Sequence, residues 1–65
     1  MDVMTEIQEL LGSNDIILLH QRPFEDVEAD VRKLQRAAET SPNREKLLSF
    51  AFSLLLLNVS MPEHP

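Results

Sequence analysis

Residues 41–59 read SPNREKLLSFAFSLLLLNV, and the pattern inside this stretch decides the fold. Ser41 followed by Pro42 is a helix start signal: the serine hydroxyl can accept from a free first-turn amide, and proline tolerates the first helical position because its missing N–H has no partner there anyway. The signal predicts a helix over 42–58. At about 100° per residue, Leu47, Leu48, Phe50, Ala51, Phe52, Leu54, Leu55, Leu56, Leu57 and Val59 spread around most of the circumference, leaving only a sector near Lys46, Ser49 and Ser53 polar. A helix of this kind needs cover on several sides. The mostly apolar run from Leu47 to Leu57 is eleven residues interrupted by Ser49 and Ser53, which is well short of a bilayer span. A span takes roughly 20 apolar residues.

The preceding stretch supplies one partner for that helix. Phe24, Val27, Val31, Leu34 and Ala38 recur at a 3-4-3-4 spacing after Pro23, which predicts a helix over 23–39 with one narrow apolar seam. Glu25, Asp26, Glu28 and Asp30 crowd its start and Arg32, Lys33 and Arg36 its end, matching the helix dipole at both termini; these charges read as a solvated outer face, with an acidic docking patch over residues 25–30 as the alternative. Glu28 and Arg32 form an i, i+4 pair.

Towards the N-terminus, Met4, Ile7, Leu10 and Leu11 recur at helical spacing between Asp2 and Gly12, predicting a helix over 3–11. Ser13-Asn14-Asp15 offers capping side chains ahead of Ile16-Ile17-Leu18-Leu19, so a second helix is expected over 14–21. The alternatives are a short buried strand, which would lack a partner strand, and one helix continuing through Gly12 at a cost of about 1 kcal/mol relative to alanine. Met61-Pro62-Glu63-His64-Pro65 reads as an extended tail or the start of a linker. The expected architecture is therefore an all-α bundle of three to four helices within residues 1–60, completed by dimerisation.

Composition narrows the function. Sixty-five residues make at most one domain, and a chain this short buries only about 60% of its unfolded surface. Without cysteine there is no disulfide or thiolate metal site to reinforce it, which leaves helix packing and association. The absence of disulfides fits a reducing compartment, so an intracellular location, cytoplasmic or nuclear, is expected. A net charge of −5 and the lack of Trp and Tyr argue against nucleic-acid partners. The N-terminus has no secretory-signal pattern, and the last helix lacks the basic face of a membrane-surface helix.

Nothing in the chain assembles an active site. His20 and His64 have no ligand partner at metal-binding spacing, so no metal is expected and His20 reads as a helix-end residue. Gly12 is the only glycine, so no glycine-rich loop can supply backbone amides to an oxyanion or phosphate. The paired carboxylates Glu25/Asp26 and Glu28/Asp30, on an exposed face, are expected to keep ordinary acidity. No catalytic residue, cofactor or small-molecule substrate is expected. Asn58-Val59-Ser60 matches the N-glycosylation pattern and is expected to go unused without a signal peptide.

Glu9-Leu10-Leu11, Leu19, Gln21, Pro23, Val27-Glu28 and Val31, across about half the chain, resemble the dimerisation and docking domain of the cAMP-dependent kinase regulatory subunit. That resemblance implies a dimeric four-helix bundle holding an amphipathic helix of a partner. The helix after Pro42 departs from the pattern, and Asp30 and Lys33 are charged where the family tends to be apolar, so no binding residue is carried over.

The expected function is a non-enzymatic interaction domain mediating self-association, with Phe24, Val27, Val31, Leu34, Leu47, Leu48, Phe50, Ala51, Phe52, Leu54, Leu55 and Leu57 as interface or core. The alternative is a docking module that binds an amphipathic helix of another protein.

Overall fold

Local capping chemistry sets where each helix starts and stops. The computed structural model describes residues 1–60, which form α1 (Val3–Leu11), α2 (Ile16–Leu19), α3 (Phe24–Ala38) and α4 (Arg44–Val59), with no strand among the described residues. The Asp2 carboxylate accepts from the Met4 and Thr5 amides at 3.1 and 3.3 Å and from the Thr5 hydroxyl at 2.7 Å, satisfying two of the open amide donors of α1. The Thr5 hydroxyl bond, ahead of the two amide bonds, holds the Asp2 carboxyl below its ordinary acidity range.

Gly12 closes α1 in the left-handed region, φ 79°, with its N–H donating to the Gln8 carbonyl at 2.9 Å. A methyl group added there would meet nothing within 4 Å, so Gly12→Ala carries only the backbone strain of φ > 0. The expected loss is about 1–2 kcal/mol, read as a lower urea midpoint at unchanged slope. Gly12 thus separates two helices instead of lying within one.

The second helix is a single turn, shorter than the expected 14–21. The Asp15 carboxylate caps it by accepting from the Ile17 amide at 3.0 Å, while the Asn14 side chain is drawn back to donate to the Met4 carbonyl of α1 at 3.2 Å. Past Leu19 the bonding tightens to i→i+3, Gln21 to Leu18 at 3.3 Å and Arg22 to Leu19 at 3.4 Å. Pro23 then follows with extended backbone, φ −55° and ψ 150°, and occupies the N-cap position of α3 instead of its first turn.

The start of α4 also differs from the sequence expectation. Ser41 does not cap it. Its hydroxyl donates to the Glu6 carboxylate at 2.9 Å and accepts from the Asn43 amide at 2.9 Å, and the Asn43 side chain reaches the Met1 carbonyl and Glu6. These long-range bonds hold residues 41–43 in a turn that ties α1 to the α3–α4 connection, so the helix begins at Arg44, two residues after Pro42, and runs to Val59.

α3 and α4 form an antiparallel hairpin, with α1 and α2 packed along one flank. One buried cluster joins Ile7 of α1 with Leu34 and Ala38 of α3 and Leu47 and Ala51 of α4; a second joins Leu19, Val27 and Leu54. At the far end the Asn58 side chain donates to the His20 and Arg22 carbonyls at 2.9 Å each, locking the last turn of α4 to the α2–α3 connection. A glycan on Asn58 would displace both bonds.

Asp30 is the one buried charged residue among those described, at 3% exposure, which corrects the reading of it as part of a solvated face. Its carboxylate pairs with the Arg22 guanidinium at 2.6 Å. Desolvation nevertheless outweighs the favourable Arg22 and Lys33 charges and raises its pKa above the ordinary aspartate value, so its acidity is not ordinary either. The Glu28–Arg32 pair does form, exposed and loose at 3.7 Å.

Candidate functional site

α4 carries two apolar seams side by side, each with the 4-3-4 spacing of a helix-packing stripe. Leu47, Ala51, Leu54 and Asn58 form the first. Leu47 and Ala51 are buried against α3 and α1, and Leu54 against α3 and α2. Shifting each position by one gives Leu48, Phe52, Leu55 and Val59, an entirely apolar second seam. Leu55 is half-buried against the lower cluster, while Leu48, Phe52 and Val59 are 37%, 67% and 61% exposed. Leu56 adds to this surface from its outer edge, at 52%.

The position of α1 shows which flank this second seam occupies. Val3, Met4, Ile7 and Ile16 face Phe50, Ser49, Ser53 and Lys46 of α4 across a shallow open groove, so α1 and α2 lie along the Phe50 side. The Leu48–Val59 seam runs along the opposite flank, exposed at Leu48, Phe52 and Val59 and half-buried at Leu55. Phe24, exposed at the adjoining end of α3, extends the apolar surface there.

The twelve residues expected to be interface or core therefore fall into three groups. Val27, Leu34, Leu47, Ala51 and Leu54 are buried within the chain; Val31, Phe50 and Leu55 are half-buried at the edges of the core; Phe24, Leu48, Phe52 and Leu57 are exposed. The expected polar sector of Lys46, Ser49 and Ser53 is exposed beside the α1 groove. Ile7, Leu19 and Ala38 belong to the core as well; their helical spacing with Leu10 and Leu11, with Ile16, and with Leu34 is the signal that marks them.

No group of three or more His, Cys, Asp or Glu side chains is placed to hold a metal ion among the described residues. His20 sits at the end of α2, with Nδ1 buried and lacking a hydrogen-bond partner among the described residues; His64 lies outside them. No helix among the described residues is long and apolar enough to cross a membrane.

Comparison with protein-family models, with curated proteins and with solved structures finds no match for this chain, so the resemblance to the dimerisation and docking domain gains no support and the bare seam of α4 stands on its own chemistry.

Proposed function

We propose that this chain is a non-enzymatic self-association module, in which the Leu48–Val59 seam of α4 packs against the same seam of a second copy. The observation that carries the reading is the doubling of the helix-packing pattern: the buried seam and the exposed seam share one spacing, and the exposed one has no polar member. Each large apolar side chain left in water forgoes roughly 1.5–3 kcal/mol, and the whole stability of a domain this size is about 3–10 kcal/mol. Two hairpins joined along α4 would form a helical bundle and bring together whatever is attached to each chain. The cysteine-free composition favours a cytoplasmic or nuclear setting.

Sedimentation equilibrium of the purified chain tests the proposal. The expected mass is twice that of one chain, and Phe52→Asp is expected to halve it with helicity retained, because residue 52 is exposed in the single chain. Ser49→Asp, in the polar sector, is expected to leave the mass unchanged. A wild-type mass of one chain at every concentration would sink the reading. The groove between α1 and α4 supports a second reading, a seat for an amphipathic helix of another protein; there, Met4→Asp would abolish binding and Phe52→Asp would not.

A further inference from the structure

A second groove runs between α1 and α3, apart from both the α1–α4 groove and the Leu48–Val59 seam. We propose that it docks an acidic segment of another protein, whose carboxylates meet Arg32, Lys33 and Arg36 while one of its apolar side chains rests on Leu10, Ala29 and Ala37.

The sequence of α3 builds this groove. Ala29, Lys33 and Ala37 follow at i, i+4 spacing and share one face of the helix, with Arg32 and Arg36 one turn apart beside them. The short side chains at 29 and 37 leave an apolar floor, the long cationic ones border it, and Leu10 of α1 forms the facing wall. The space enclosed is about 550 Å³. That lies within the roughly 300–1,000 Å³ of ordinary binding clefts.

Charge selects the occupant. Three of the six Lys and Arg side chains of a chain with net charge −5 line this one groove, and no carboxylate lines it. The dipole of α3 favours cations near its C-terminus but does not require an acid-free groove around them. Arg32 and Arg36 form a like-charge pair one turn apart, an arrangement that costs the isolated helix stability and that an anionic occupant relieves. Little inside the chain competes for them: Arg32 meets Glu28 only at 3.7 Å, and Lys33 and Arg36 form no salt bridge among the described residues. Lys33 does act at longer range on the buried Asp30. Two carboxylates on successive turns of a helix match the spacing of Arg32 and Arg36, and each guanidinium can hold one of them through two N–H donors.

A short acidic segment suits the groove better than a polyanion does. Glu25 and Asp26 stand on the same helix, and the seven residues from Glu25 to Arg32 span about 10 Å of axis, roughly one screening length. A nucleic acid or an anionic bilayer would carry charge over these acids as well, and neither would fill the apolar floor.

A random peptide library displayed on phage, panned against the immobilised wild-type chain, tests the proposal. Enriched peptides are expected to carry two or more Asp or Glu about one turn apart with an apolar residue between them. Fluorescence polarisation of a labelled enriched peptide is expected to show about tenfold weaker binding to Arg32→Gln/Arg36→Gln, from the loss of two charge-assisted contacts. Both positions are exposed, so circular dichroism is expected to show the helicity of that variant unchanged. Replacing the peptide's acids by Gln, or its apolar residue by Ser, is expected to remove binding to the wild-type chain, a readout independent of how any variant folds. Phe52→Asp is expected to bind the peptide with wild-type affinity, which separates this groove from the self-association seam. Enrichment of no peptides, or only of basic or wholly apolar ones, would overturn the proposal. Equal binding by the double variant, loss of binding in Phe52→Asp, or tighter binding of a single-stranded oligonucleotide or of phosphatidylserine vesicles than of the peptide would do so too.

Discussion

Leu54→Asp is expected to unfold the chain, whereas Phe52→Asp, two residues away on the same helix, leaves it folded and removes only its association. Leu54 is fully buried in the cluster with Leu19 and Val27, where α2, α3 and α4 meet. Substitution removes about 1.5–3 kcal/mol of apolar burial and places a carboxylate with no partner in the same space, at a further cost of several kcal/mol. The sum reaches the whole expected stability of about 3–10 kcal/mol for a domain this size. Circular dichroism at 25 °C is expected to show loss of most helical signal for Leu54→Asp and its retention for Phe52→Asp. Equal loss in both variants would mean that the second seam is part of the folding core, so that folding and association are one event. Retention in both would mean that the two seams are wrongly assigned.

That contrast also marks how far the sequence alone reaches. The existence and type of α1, α3 and α4 are readable from periodicity and breakers, with Asp2 and Gly12 framing α1, Pro23 preceding α3 and the 3-4-3-4 spacing of α3 marking its packing face, whereas α2 is readable only as one of three alternatives. The division of α4 into an inner and an outer seam is not readable, because nearly every position is apolar and the hydrophobic pattern therefore has almost no direction. Direction comes from elsewhere. Ala51, the one small apolar residue of the run, lies on the face packed against α3 and α1, and Asn58 lies on the face that meets the α2–α3 connection.

The start of α4 is missed for a different reason. Ser41-Pro42 is a sound local signal, but a carboxylate 35 residues away, Glu6, competes for the serine hydroxyl. Asp30 is missed because its residue type was weighed above its position. It stands three residues after Val27 and four before Leu34, squarely on the seam side of α3, and only Arg22, brought back by the turn before Pro23, makes that position tenable.

Arg22→Ala is therefore expected to destabilise the chain strongly at neutral pH and far less in acid. The wild-type pair has a buried acid and a guanidinium at the rim, with side-chain exposures of 4% and 38%. Removing a buried ion's partner costs about 3–5 kcal/mol in a fully dry site, and the solvent reaching Arg22 lowers the expectation here to about 1–3 kcal/mol. The raised pKa of Asp30 sets the sign of the pH dependence. In a window beginning near the ordinary aspartate value of 3.8 and extending above it, the unfolded chain has released this proton while the folded chain still binds it. Stability contributed by this group is therefore full below the window and falls as pH rises through it. Without Arg22 the desolvation term acts unopposed by its main counter-charge, so the window widens upward and the loss at pH 7 grows. Urea titrations of Arg22→Ala at pH 4 and pH 7 are expected to show the larger deficit at pH 7, and adding Asp30→Asn to the variant is expected to erase the pH dependence by keeping the shape and removing the charge. A deficit equal at both pH values would mean that Arg22 acts through packing of its aliphatic stem and not through the charge it neutralises.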